Sequence, residues 1–374
     1  MLLLSSRIYC LFYIVKMDVL MVTRPLSSPW NEGGKNLAYG IARNIKNHKI
    51  HLLVRKNFNE KVSSNIILHR VYPSEYRYKI SYTEKLRLFY FLLKIKNIDI
   101  YHFIYTPEIY SSKINKLLIS LKSKKSIQTI PTRLKNVSDK LFFANKIVVI
   151  SNFTKNLLLK KGIKNVIKIN TGIDTNYFKP FKKDIKLLKK FDGRFVVLIP
   201  IDLEKEKGTR IILKVIKSIG DSRDILFIFS YRSTKKRFLE KRFLKRELFK
   251  LGLLKNVLFI KDPINIKNLI NASDLVVYPL VNTYEKHEIP MILIESMSME
   301  KPIVVWDVAP MNEIIKGNEG IKVNNHLDLK NAILKFIKNR NLAKKIGKLA
   351  RKRVVRDFNI IETARDYERL YSEL

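Results

Sequence analysis

The stretch Asp274–Gly320, DLVVYPLVNTYEKHEIPMILIESMSMEKPIVVWDVAPMNEIIKGNEG, decides the fold. Leu275 to Tyr278 is an unbroken apolar run, and Ile303 to Trp306 is another. Runs of this length read as strands buried on both faces. Between them Met291, Ile294, Met297 and Ser298 recur at helical spacing. A loop and a short helix near Glu313 close the unit. Strands alternating with helices predict parallel sheets, and in such sheets ligands bind beyond the carboxyl ends of the strands. Two acid-bearing loops lie at that rim. Glu285, His287 and Glu288 precede Pro290, and Glu313 follows the second strand. Glu295 sits just inside the first helix, so Glu295 and Glu313 are expected to face one crevice. A carboxylate accepts paired hydrogen bonds from ribose or sugar hydroxyls. An open helix N-terminus suits phosphate.

Working outward, the chain repeats this pattern twice. Asp18 to Thr23 reads as a first strand, and Arg24 to Glu32 as a loop ending at Gly33-Gly34. A helix is expected from about Lys35 to Lys46. Two glycines at a helix entrance let backbone amides approach an anion closely. Ile50 to Val54, Asp99 to His102 and Ile127 to Thr132 are further strand ends. Tyr82 to Lys96 carries Leu86, Phe89, Tyr90 and Leu93 on one stripe, read as the face that docks on the sheet. The other reading is a basic, aromatic helix at a bilayer surface. Gly172 is expected in a tight turn. A lysine-rich linker at about 181–193 leads to a second domain that begins with the strand FVVLIP after Arg194. Ser233 to Lys250 is a strongly basic helix, and Phe358 to Leu374 a last one.

These pieces together resemble the family-four retaining glycosyltransferases, of GT-B fold: two doubly wound parallel-sheet domains around a cleft. The resemblance runs from Asp18 to Leu374. It rests on Glu295-Ser296-Met297, on Pro302-Ile303-Val304 and Glu313, on Lys146 to Gly162, and on Thr171-Gly172-Ile173-Asp174 with Phe178 and Pro180. It implies domains at 17–180 and 194–356, with 357–374 crossing back to the first. It implies a donor, UDP- or GDP-linked, as substrate, with no resident cofactor and no metal. By the same resemblance Glu295 holds the ribose, and Lys207 and the Gly33 and Gly34 amides hold the diphosphate. Glu288, or Glu285 or His287, touches the donor sugar, with Glu288 and Lys207 as catalytic candidates. Asp262 and Ile264 lie against the base, Glu313 shapes the sugar–phosphate loop, and His102 lines the acceptor side. Pro290, Met291 and Ile292, at the helix entrance, join the donor-binding set.

Three positions depart from the family pattern. His287 stands where the family carries its first glutamate, Asp202 where it carries an arginine, and Ile130-Pro131 where it carries a sugar-site histidine. Lys205 or Arg210 is the candidate substitute for that arginine. The departures support a second reading, a protein that binds nucleotide sugar or a partner transferase without turnover.

Composition limits the partners. With 374 residues, 46% of them hydrophobic, the chain has room for two cores. Its single cysteine, Cys10, excludes an intrachain disulfide and fits a cytoplasmic setting. The formal charge is +40. Residues 1–180 hold 32 Lys and Arg against 9 Asp and Glu, so the first domain is especially basic. Such charge suits an anionic membrane surface or a lipid-linked glycan acceptor; equally it suits plain solvated faces. No nucleic-acid motif accompanies it. Residues 1–16 are too short and too interrupted to span a bilayer, and read as an extension ahead of Met17.

Overall fold

The computed structural model describes residues 16–30, 32–75, 80–201, 208–232, 235–263 and 265–374. Lys207, Ile264, Asp202, Lys205 and Cys10, singled out above, lie outside the described residues.

The first domain alternates strands and helices: β1 (Asp18–Leu26), α1 (Gly33–Asn44), β2 (Lys49–Arg55), β3 (Ile66–Tyr72), α2 (Tyr82–Lys94), β4 (Ile100–Ile104), α3 (Ile109–Lys122), β5 (Lys125–Ile130), β6 (Lys146–Val149), α4 (Asn152–Lys160) and β7 (Val166–Lys168). The strands form one parallel sheet in the order β3-β2-β1-β4-β5-β6-β7. The linker contains a helix of its own, α5 (Ile185–Phe191), capped by the Asp184 side chain.

The second domain follows the same plan: β8 (Phe195–Ile199), α6 (Arg210–Ile219), β9 (Ile225–Tyr231), α7 (Lys235–Lys250), β10 (Val257–Lys261), α8 (Ile266–Ala272), β11 (Leu275–Tyr278), α9 (Met291–Ser298), β12 (Ile303–Trp306), β13 (Ile321–Val323), α10 (His326–Lys338), α11 (Arg340–Asp357) and α12 (Ile360–Ser372). Its sheet runs β10-β9-β8-β11-β12-β13, again parallel. Every residue of β8 and β9 is buried, as strands covered on both faces must be. In both sheets the strand order reverses beside the first strand, and the two carboxyl ends meet across one cleft. This is the GT-B arrangement that the resemblance implies.

The last helix, α12, leaves the second domain and packs on α1. Tyr367 and Tyr371 are fully buried in the first domain's core. Ile173 N–H donates to Phe358 O and Ile360 N–H to Ile173 O, both at 2.9 Å, which seats the return. Gly172 has its reason here. A Cβ at Gly172 would lie 2.7 Å from the Ile360 Cα, so this glycine serves a close backbone approach, and not the tight turn expected from sequence.

Helix α2 also differs from expectation. Leu88, Phe91, Leu92 and Ile95 pack on the sheet, whereas Leu86, Tyr90 and Leu93 face solvent. The rotation follows from Glu84. It closes a capping box with Ser81 and is buried against the buried Arg55, 3.5 Å away. A guanidinium taken out of water needs that carboxylate, and its pairing turns the helix inward on that side.

Candidate active site

The cleft between the domains encloses about 880 Å³. Loops at the carboxyl ends of the strands line it. From the first domain come Arg24, Gly33, Gly34, Thr106 and Thr132, and from the second Arg232, Asp262, Lys286, His287 and Glu295.

Two helices aim their N-termini into this space. α1 begins at Gly33, and its N-cap, Glu32, makes no side-chain cap bond because its carboxylate is paired with Arg24 at 2.7 Å. α9 begins at Met291 after Pro290, a residue with no side chain able to cap. The Gly33 and Gly34 amides of α1 and the Met291 and Ile292 amides of α9 are therefore available to an anion, while Leu293 N–H donates to Pro290 O at 3.0 Å; the helix dipoles favour an anion at both ends. The two ends are close. A Cβ at Gly33 would lie 3.0 Å from the His287 ring and 3.2 Å from Met291, so only glycine fits without displacing cleft groups.

Glu295 lies one turn into α9. It is 8% exposed and lines the cleft, and its carboxylate has no hydrogen-bond partner among the described residues. Burial pushes its pKa up to about 7. Burial strips most of the water from this carboxylate, and hydroxyl donors entering the cleft can replace it. Pro290, Met291, Ile292, Asp262 and Glu285 also line the cleft. Glu285 sits in the left-handed region at φ 59°, held by its N–H on Arg133 O.

His287 fills the place of the family's first glutamate and does reach the cleft. Its Nδ1 bonds Ile289 O at 2.7 Å, which assigns the proton to Nδ1. Its Nε2 is buried with no hydrogen-bond partner among the described residues. Burial lowers its pKa to about 4, so the ring is neutral and Nε2 is an acceptor.

Four expectations are corrected. Glu288 does not face the cleft. It is fully buried and accepts from Ser151 Oγ, the N-cap of α4, at 2.6 Å and from Thr154 Oγ1 in that helix's first turn. Glu313 is likewise spent on α4, accepting from the amides of Asn152 (2.9 Å) and Phe153 (2.6 Å). Arg210 stacks on Phe243 and pairs with Glu240 at 3.8 Å, directed at α7 and away from the cleft. His102 lies in the core, bonded to Tyr371 Oη (2.8 Å) and Thr129 Oγ1 (2.7 Å), with its pKa lowered to about 3 by burial.

Glu288 and Glu313 belong to a seam that joins the domains. The chain just past β5 pairs with the 284–288 loop: Arg133 N–H donates to Lys286 O and Glu288 N–H to Pro131 O. The Arg133 guanidinium donates to Thr283 Oγ1 (2.8 Å) and Ala309 O (2.7 Å) and stacks on Tyr284. Sequence reasoning missed Arg133, along with Arg24, Arg232 and Lys286 in the cleft. An isolated cation in a loop carries no periodic signal, and only the assembled rim shows where it points.

Comparison with known proteins agrees with this geometry. Residues 180–353, which contain α9 and the donor-side wall, match the model of glycosyl transferases group 1. The second domain is thus similar to those of that family. An uncharacterized glycosyltransferase of Methanocaldococcus jannaschii is 25% identical over 63% of the chain, and the match spans 60% of that relative's length. A glycosyltransferase from Rickettsia africae superposes with a TM-score of 0.75 at 20% identity, covering 96% of this chain and 98% of the other. Anabaena HepE, solved with UDP, gives 0.74 at 16% identity, over 96% and 100%. The matched segment supplies Glu295, and α1 of the other domain lines the cleft opposite it.

Proposed function

We propose that the protein transfers a sugar from a nucleotide-diphosphate donor to a hydroxyl acceptor, with retention at the sugar carbon. The observation that carries this reading is the buried, unpartnered Glu295 carboxylate beside two open helix N-termini in one cleft. Glu295 takes the ribose diol and the helix ends take the diphosphate. Asp262 and its neighbours border the base pocket next to β9 and β10. The complexes of HepE with UDP and UDP-glucose support a nucleotide-sugar donor.

In the reaction the bond from the sugar carbon to the diphosphate oxygen breaks, and the acceptor oxygen bonds the same face. The acceptor proton passes to the departing diphosphate. Negative charge grows on that leaving group, and the helix ends with Arg24, Arg232 and Lys286 are the groups placed to stabilise it. His287 Nε2 accepts a sugar hydroxyl. The Thr106 and Thr132 hydroxyls, 2.7 Å apart, present hydrogen bonds on the acceptor side.

The test is turnover of UDP-, GDP- and ADP-sugars by purified protein with a membrane lipid extract as acceptor source. Product or slow donor hydrolysis, lost in Glu295→Ala, supports transfer. A second reading, donor binding without turnover, is favoured by the withdrawal of Glu288, Glu313 and Arg210 from the cleft. It predicts tight donor binding with no hydrolysis under any acceptor.

A further inference from the structure

Helices α2 and α3 lie side by side on one face of the first sheet. Both contribute to the same core cluster, and Lys122 Nζ donates to the carbonyls of Leu93 and Ile95, tying their ends together. Their inward sides are satisfied by Leu88, Leu92 and Leu118. Their outward sides are apolar as well. On α2, Tyr82, Leu86, Tyr90 and Leu93 are exposed at spacings of four, four and three; on α3, Tyr110, Ile114, Leu117 and Leu121 are exposed at spacings of four, three and four. Leu86 is 69% exposed and Leu117 56%. Solvated helix faces are normally polar, and large exposed apolar patches mark a contact.

Cations border this face. Lys85, Arg87 and Lys94 stand on α2, and Lys113, Lys116 and Lys122 on α3. The two helices carry one acid, Glu84, and it is buried against Arg55. A second cavity of about 510 Å³ opens beside α2, lined by Lys56, Arg70, Arg87 and Lys94 with Tyr90 and His69. Among the described residues no carboxylate lines it. Four cations around an aromatic wall, next to an apolar face, fit a phosphorylated headgroup whose acyl chains lie against the helices.

We propose that the α2–α3 face docks on an anionic lipid bilayer, with the cavity beside α2 taking a lipid phosphate. Charge complementarity selects this occupant. A protein interface is depleted of lysine at its core, whereas lysines bordering leucine and tyrosine suit the headgroup boundary. No helix among the described residues is long and apolar enough to cross a membrane, so the contact lies in the surface plane. This inference does not rest on the transferase reading.

The test is flotation of the full chain with phosphatidylcholine vesicles, with and without phosphatidylglycerol. The protein is expected to float only with the anionic vesicles and to be released by salt. Arg87→Ser with Lys94→Ser weakens binding about 25-fold, from roughly five-fold per cation. Leu86→Ser with Leu117→Ser, both at exposed positions, weakens it at unchanged thermal stability. Lys344→Ser with Lys345→Ser, an equal loss of charge on α11, leaves it within about two-fold. Equal weakening by the α11 pair would show a diffuse charge effect and overturn the proposal. So would an absence of flotation, or a dimer in sedimentation that the leucine substitutions dissolve.

Discussion

Ser151 Oγ donates to the Glu288 carboxylate at 2.6 Å, a bond from the first domain to the second. Thr154 Oγ1 donates to the same carboxylate, and the site is closed to solvent. Glu288 therefore joins the domains and does not contact the donor. Glu288→Ala leaves two buried hydroxyls without an acceptor and is expected to cost about 2–4 kcal/mol in chemical denaturation. Glu288→Gln keeps an acceptor oxygen and is expected to cost about 1 kcal/mol. Donor affinity of the folded protein stays at the wild-type value in both.

Glu295 and Glu288 share a pH signature. Burial raises both from 4.5 to about 7. The folded chain then binds more protons than the unfolded one between these values, so stability is fullest below about 4.5 and falls as pH rises towards 7. Glu295→Gln removes one such group. In the empty protein it is expected to raise stability at pH 8 by about 1–3 kcal/mol and to flatten the pH dependence of the melting temperature. Donor hydroxyls favour the ionised carboxylate, so wild-type donor affinity rises between pH 5.5 and 7.5 by roughly ten-fold per pKa unit reversed, and that of Glu295→Gln does not.

The meeting of α1 and α9 makes Gly33 sensitive. Alanine is acceptable to the helix backbone there, so Gly33→Ala is expected to change stability by less than about 1 kcal/mol. Its methyl group displaces His287 and Met291, and turnover falls by at least ten-fold. Steady-state kinetics beside a melting curve separate the two effects.

The second-domain cations make a contrasting pair. Arg210→Ala loses a stacked guanidinium and a partly exposed ion pair, about 1 kcal/mol of stability, and leaves donor affinity unchanged. Arg232→Ala, on the cleft wall, weakens donor binding by about ten-fold or more. Titration calorimetry on both variants checks the assignment.

The strands and their order of appearance were legible in the sequence because buried parallel strands leave unbroken apolar runs. Leu275–Tyr278 and Ile303–Trp306 appear with the boundaries their composition gave. Glu295 was legible because its register on α9 follows from helical spacing. The fates of Glu288 and Glu313 were not. One residue of offset in a loop decides whether a side chain turns to the cleft, like His287, or to α4, like Glu288, and loops have no period to read. The outward rotation of Leu86 and Tyr90 was hidden for another reason. It depends on Glu84 finding Arg55 from a strand nearly thirty positions earlier. A two-sided apolar helix looks amphipathic on whichever face one assumes first.

The central claim is that Glu295 is the donor-binding carboxylate of a nucleotide-sugar cleft. Its most direct test is calorimetric titration of UDP-, GDP- and ADP-sugars into the wild-type protein and Glu295→Ala. The account predicts that one base class binds and that the substitution weakens it by about 30-fold or more, the loss of a paired hydrogen bond to a charged acceptor. Equal affinity in the two proteins, or no binding by any donor, would contradict it.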